Sequence, residues 1–216
     1  MKMSHPQLQW RHWWRVPRVA WYLLKRPQDI PLYLRFGRSA RNTPLDLGMP
    51  WWSFGAVHAV DKFIRPGMPV FEFGSGGSSI FLAQRAQRVT CVEDEEKWAG
   101  LVSDEAARRG LRNLEVLHRA FDFHNPRGFD SSSYLSALGS DSYDLIVVDG
   151  KEESEQVRDI CFWKAEEFIE PGGLIVVDDS WRYPQIKGRN RARRFCDYKG
   201  TGYCRVGVTS TCLFYY

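Results

Sequence analysis

The chain has 216 residues, 44% of them hydrophobic and 26% charged, with a formal net charge of +4. That balance excludes an intrinsically disordered chain and suits one α/β domain with a full core and a short extension. No apolar run approaches the roughly 20 residues that cross a bilayer; the longest near the N-terminus is Val19 to Leu24.

The charge is unevenly placed. Residues 1–50 hold nine Lys/Arg against two Asp, a net of +7, which leaves residues 51–216 at −3. The basic quarter interleaves Trp10, Trp13, Trp14, Trp21 and Tyr22 with Arg11, Arg15, Arg18, Lys25 and Arg26. Arg15, Arg18, Lys25 and Arg26 interrupt any signal-peptide core, and no small-residue cleavage site follows. We expect a Trp-rich basic arm over residues 1–50 and a single domain over 51–216. Such an arm suits an anionic membrane surface through residues 1–40, or a helical arm folded over the domain; stacking on nucleic acid ranks last. Pro17, Pro27 and Pro31 break it into short pieces.

A helix is expected from Ser53, its N-cap, to just before Pro66-Gly67. The run Val70-Phe71-Glu72-Phe73 reads as a buried strand and leads into the turn Gly74-Ser75-Gly76-Gly77, with a helix over Ser78 to Ala86. Glycines let backbone N–H groups approach a ligand closely, and the following helix points its positive end at the same place. Val89 to Val92 forms the second strand and ends in Glu93, 17 positions after Gly76. A carboxylate near that spacing can accept hydrogen bonds from both hydroxyls of a ribose.

Dinucleotide sites usually carry G-x-G-x-x-G. Here an acid, Glu72, sits inside the first strand and Ser79 takes the place of the third glycine, which suits a ligand with an amino group and a sulfonium better than a pyrophosphate. At these residues the chain resembles the class I S-adenosylmethionine-dependent methyltransferases, over roughly residues 51 to 216. The resemblance implies a Rossmann-like, seven-stranded, mostly parallel sheet with a C-terminal antiparallel hairpin and helices on both faces. It also implies S-adenosylmethionine as cofactor, held by Glu72, Gly74, Ser75, Gly76, Ser78 and Glu93. Ala120 stands where the family places an acid for the adenine, so Phe121 or Asp122 is expected to take over that contact.

Continuing along the chain, Glu95 to Arg109 reads as a helix stopped by Gly110, and Leu114 to Leu117 as the third strand. Tyr143 to Val148 is the fourth strand, ending in Asp149-Gly150, followed by a helix over Glu152 to Ile169. Leu174 to Val177 is the fifth, ending in Asp178-Asp179, and Tyr203 to Tyr216 alternates as a closing hairpin. Strands this continuously apolar are buried on both faces, as in a parallel sheet between helix layers.

Asp149, Asp178 and Asp179 should converge at the sheet edge that carries the glycine turn. Three such carboxylates repel one another unless they are protonated or neutralised, and a divalent cation such as Mg²⁺ would relieve that repulsion. The arrangement is similar to metal-dependent O-methyltransferases of the macrocin and catechol types, which implies Asp149, Asp178 and Asp179 as metal ligands. Asp149 is also expected at the cofactor. The catechol type carries a lysine three residues after the strand-four aspartate; that place is Glu152 here, with Lys151 one earlier. Asp149 and Lys151 are therefore the catalytic candidates. Phe71-Glu72-Phe73-Gly74, with Trp51 and Glu93…Trp98, is also similar to a bacterial-type group in which a metal is not assumed.

The expected reaction is O-methylation of a small-molecule, glycan-like or lipid-linked acceptor. Alternatives are a nicotinamide-dependent oxidoreductase on a Rossmann-type sheet, or a non-catalytic cofactor-binding protein. His124 is a further candidate base, and Trp181 and Arg182 are expected at the acceptor rim. The five cysteines are scattered, without metal-ligand spacing, which points to a reducing cytoplasm.

Overall fold

Five apolar runs pair in parallel, and the last two strands close the sheet antiparallel to them. In the computed structural model, which describes residues 15–37, 42–151 and 157–216, the strands are β1 (Pro69–Phe73), β2 (Arg88–Glu93), β3 (Leu114–His118), β4 (Tyr143–Val148), β5 (Ile169–Asp178), β6 (Arg194–Gly202) and β7 (Arg205–Tyr215). Their order across the sheet is β3-β2-β1-β4-β5-β7-β6. Strands β1 to β5 are mutually parallel, while β7 runs antiparallel to both β5 and β6. This is the expected methyltransferase-like sheet. It departs from the all-parallel 3-2-1-4-5-6 order of dinucleotide-binding folds by inserting β7 beside β5.

Alternation along the strands divides the interior in two. Phe71, Phe73, Ile146, Val148, Ile175 and Val177 face one side and pack with Phe162 and Phe214. Val70, Leu145, Val147, Leu174 and Val176 face the other, against Trp52, Val60 and Phe81. Each such side chain contributes about 1.5–3 kcal/mol on burial. Phe73 lies level with Val92 and Val148, and Val148 with Val177, so four strands end together and deliver their loops to one edge.

The helices in chain order are α1 (Val16–Lys25), α2 (Ile30–Leu32), α3 (Pro44–Leu47), α4 (Phe54–Phe63), α5 (Gly77–Ala83), α6 (Glu96–Arg108), α7 (Val157–Ala165) and α8 (Pro184–Gly188). Ser53 caps α4 as expected, its Oγ accepting the Ala56 N–H at 3.3 Å. Gly110 follows α6 at φ +73°. Four elements differ from expectation in their boundaries. The helix expected to reach Ala86 ends at Ala83. The helix expected over Glu152 to Ile169 is seen from Val157 to Ala165; residues 152–156 lie outside the described residues, and Ile169 pairs with Tyr143 as the start of β5. Pro171-Gly172-Gly173 is thus an irregularity within β5, where the partner register jumps from Ile169 to Leu174, and not a loop before it. The closing hairpin also begins earlier than expected, at Arg194 and not at Tyr203, because β6 is an edge strand whose polar face disguises it.

The basic arm is broken at its prolines as expected, into α1, a 3₁₀ turn at Pro27–Asp29, α2 and a π turn at Tyr33–Gly37. Val19 and Tyr33 are buried against Phe54, with Tyr203 and Val208 beside them, and the Tyr33 hydroxyl donates to the Val206 carbonyl at 2.9 Å. Trp10, Trp13 and Trp14 lie outside the described residues.

Gly77 opens α5 where α3 crosses it. A Cβ there would meet the carbonyl oxygens of Pro44 and Met49, each at 2.3 Å, and backbone cannot step aside as a side chain can. Gly77→Ala should therefore cost about 1–3 kcal/mol, a fall of several degrees in melting temperature. Gly67→Ala, with nothing within 4 Å of the added methyl, should melt like the wild type. Equal melting of the two variants would refute this packing.

Candidate active site

The turn after β1 is organised from below. Glu72 shares the alternation of Val70, and its carboxylate therefore points under the start of α5. It accepts the Ser78 and Ser79 hydroxyls, each at 2.5 Å, and is 1% exposed. Ser79 Oγ in turn accepts the Gly76 N–H at 3.0 Å, so one buried acid fixes the glycine turn through a serine relay. Burial pushes Glu72 up to about 7, against the pull of both serines. Above the turn, Trp98 Nε1 donates to the Ser75 carbonyl at 2.9 Å. Gly74, at φ +95°, sits so close to Gly150 that a Cβ would lie 2.8 Å from its Cα, which joins the loops after β1 and β4.

Glu93 ends β2 as expected. One carboxylate oxygen accepts the Ser75 hydroxyl at 2.7 Å, and the other accepts the backbone N–H groups of Asp94 and Glu95 at 3.1 and 3.2 Å. Burial raises it to about 7 despite these bonds. The Glu93 side chain borders a cavity of about 280 Å³ with Gly74, Ser75 and Trp98. A second cavity, of about 700 Å³, shares Ser75, Trp98, Asp149, Gly150 and Lys151 with it, so the two are lobes of one cleft. Gly76, Ser78, Asp178 and Asp179 line the larger lobe.

Nine expected site residues therefore converge: Gly74, Ser75, Gly76, Ser78, Glu93, Asp149, Lys151, Asp178 and Asp179. Two do not line this cleft. Glu72 lies beneath the turn, its carboxylate consumed by the serines, so it shapes the site without facing it. Phe121 packs edge-on against Phe123 and Phe129, at centroid distances of 5.2 and 4.9 Å, because the segment after β3 joins the aromatic core. His124 is exposed and outside the cleft, its backbone N–H bonded to Asp122.

The three strand-end acids are close but differently held. Asp149 receives the Trp52 indole N–H at 3.1 Å and Arg158 at 3.3 Å, and keeps one-fifth of its side chain exposed to the cleft. Burial raises it to about 6, opposed by Arg158 and reinforced by Asp179. Asp178 accepts the Thr211 hydroxyl at 2.6 Å, and burial drives its carboxyl well above the usual range, with Asp149 adding to the effect. Asp179 accepts the Thr209 hydroxyl at 2.9 Å from a left-handed backbone, φ 49°. Arg205 stands between the last two, 3.7 Å from Asp178 and 3.6 Å from Asp179. Arg158 also donates to the Gly150 and Asp178 carbonyls, tying the ends of β4 and β5.

This donor set does not fit the expected Mg²⁺. Two guanidinium groups already neutralise the acids, and Trp52, Thr209 and Thr211 occupy carboxylate oxygens that a hard cation would need. Among the described residues, no group of three His, Cys, Asp or Glu side chains is placed to hold a metal. The arginines, with Trp52, are the residues that sequence reasoning missed. Trp52 and Asp149 are 97 positions apart, and no local pattern joins them.

A family model described as a methyltransferase domain matches residues 71–180. The chain belongs to this family, within the class I S-adenosylmethionine-dependent methyltransferases. No curated protein sequence matches it. Among solved structures it is similar to the O-methyltransferase TomG from Streptomyces achromogenes, involved in tomaymycin synthesis and solved with S-adenosylmethionine, at 18% identity and TM-score 0.57, covering 88% of this chain and 96% of that one. It is also similar to cofactor-bound Rv0187 from MTB, at 20% identity and TM-score 0.57, covering 86% and 88%. A third is an rRNA methylase from Streptococcus thermophilus, at 13% identity and TM-score 0.55, covering 82% and 99%. At these identities the likeness is one of fold.

Glu72 makes stability depend on pH. Its folded value near 7 lies above the ordinary 4.5, so the folded chain binds more protons between those values. The contribution is fully present below about pH 4.5 and is lost as the pH rises through 7. Denaturant midpoints of the wild type should fall over that window, and Glu72→Gln should flatten part of the fall. An identical slope in both proteins would mean that Glu72 titrates as an exposed acid.

Proposed function

We propose that the chain methylates a hydroxyl oxygen of a small-molecule or glycan-like acceptor, with Asp149 receiving the hydroxyl proton. The carrying observation is the position of Asp149: at the end of β4, in the same cleft as the glycine turn, partly exposed and raised to about 6. When bound, S-adenosylmethionine supplies an electrophilic methyl group on its sulfonium. The chain's own task is to bind, align and deprotonate. The backbone of Gly74 to Gly76 and the Trp98 ring suit the cofactor's amino-acid and adenosine parts, and Glu93 suits the ribose hydroxyls. Trp52 and Arg158 aim the Asp149 carboxylate and keep it ionised at neutral pH. Lys151, exposed at the mouth, adds positive charge toward an acceptor oxygen.

Calorimetry should show S-adenosylhomocysteine binding and no binding of NAD(H); the reverse would return the chain to the oxidoreductase class. Asp149→Asn should lower methyl transfer by about 10²–10⁴-fold while keeping cofactor affinity. The wild-type rate should fall below about pH 6, where Asp149 takes up its proton, and the variant should lack that limb. Chelator should leave the rate unchanged. Tight cofactor binding without turnover on a broad acceptor panel would favour a cofactor-binding protein without catalysis.

We also propose that the arm rests on an anionic membrane surface. One face of α1 packs on the domain, but Val16, Trp21 and Leu24 are 63%, 57% and 75% exposed, and Leu34 beyond it 65%. Val16, Ala20 and Leu24 recur every four residues and so share a face, with Lys25 and Arg35 as nearby cations. Among the described residues no helix is long and apolar enough to cross a membrane. Full-length protein should float with vesicles rich in anionic lipid, less so as salt rises, and Trp21→Ser with Leu24→Ser should reduce this several-fold. Flotation indifferent to both salt and substitution would end the proposal.

A further inference from the structure

Beyond Asp179 the molecule opens into a second cavity of about 480 Å³. Its wall is strongly basic: Arg15 and Arg18 come from the arm, Lys199 from β6 and Arg205 from β7, against the single lining carboxylate of Asp179. The placement follows from the fold. The β6–β7 hairpin runs on past the end of β5, since Asp178 pairs with Thr211, and α1 packs over that extension. Arginines of a segment near the N-terminus are thereby brought to the acceptor side of the sheet.

Two of these cations keep donor capacity to spare. Arg205 lies over the Trp51 ring, donates to the Trp51 carbonyl at 3.1 Å and reaches its two acids at 3.6 and 3.7 Å, while its buried Nε has no hydrogen-bond partner among the described residues. Lys199 lies 3.6 Å from Asp197, which Lys187 already holds at 2.7 Å. The ring of Trp181, 64% exposed, forms a flat apolar wall beside them. Asp179 and Arg205 line both this cavity and the cofactor cleft, so the two spaces meet across one pair of side chains.

We propose that this cavity receives a phosphoryl group carried by the acceptor, seated on Arg15, Arg18, Lys199 and Arg205 while the acceptor hydroxyl reaches Asp149. The inference rests on the methyltransferase reading for its second half only. The lining holds four cations and one carboxylate, with Asp178 and Asp197 paired to Arg205 and Lys199 from behind, and guanidinium forks match phosphate oxygens better than they match a single carboxylate ligand. The acceptor is then a phosphorylated hydroxy compound, whether free in solution or borne by a lipid.

The full chain, loaded with S-adenosylhomocysteine, is titrated with inorganic pyrophosphate, inorganic phosphate and acetate, and in a separate arm mixed with phosphatidic acid vesicles. Pyrophosphate should bind at one site, more weakly as salt rises, and much more tightly than acetate. Arg18→Gln and Lys199→Gln, at exposed positions that leave the core untouched, should each weaken it about tenfold and leave S-adenosylhomocysteine affinity within twofold. The same sensitivity on phosphatidic acid vesicles, relieved by soluble pyrophosphate, would assign the group to a lipid; sensitivity with pyrophosphate alone would assign it to a soluble acceptor. Absence of saturable phosphate or pyrophosphate binding by protein that holds S-adenosylhomocysteine overturns the proposal, as does acetate binding equally well or full affinity in both variants. Pyrophosphate binding by protein that does not bind S-adenosylhomocysteine would keep the anion site and remove the methyltransferase reading instead.

Discussion

The carboxylate of Glu72 sits on an interior strand of the sheet, β1, with almost no contact with water, and the cleft is built around it. An acid so buried must either give up its charge or be met by strong donors. Two serine hydroxyls from the first turn of α5 meet it, and one of them passes the constraint on to the Gly76 amide. The geometry of the glycine turn is therefore set by the strand beneath it. Gly77 carries the same logic outward: with no side chain there, α3 lies directly on the turn and walls the larger lobe with Pro44 and Leu45.

At the neighbouring strand ends the electrostatic problem is larger and its solution different. Three carboxylates crowd one edge, and the chain answers with Arg158 from α7 and Arg205 from β7. Guanidinium groups suit this place because they carry fixed charge and several donors at once, and Arg158 uses three of them on three different groups. Such an edge stays partly protonated near neutral pH.

Strands β1, β2, β4 and the second half of β5 were legible because burial on both faces forces a mostly apolar run, and the glycine turn because few other residues allow that backbone. Edge strand β6 was not: Arg194, Asp197 and Lys199 interrupt its apolar positions, as suits a strand with one open side. The convergence of Asp149, Asp178 and Asp179 could be read from strand ends alone. What neutralises them could not, since Arg158, Arg205 and Trp52 reach the site through tertiary contact from distant segments. Phe121, expected at the cofactor by its place after β3, packs against Phe123 and Phe129 and does not line the cleft, a contact that only the tertiary fold reveals.

The insertion of β7 between β5 and β6 also bears on how the chain folds. Strand β7 follows β6 in the chain yet is an interior strand, and β6 stays unattached to the sheet until β7 is in place. The arm shares that delay, because Tyr33 waits for Val206, 173 residues later. A contact of that sequence separation is among those that form late in folding, so the arm is seated only after the β6–β7 hairpin is in place.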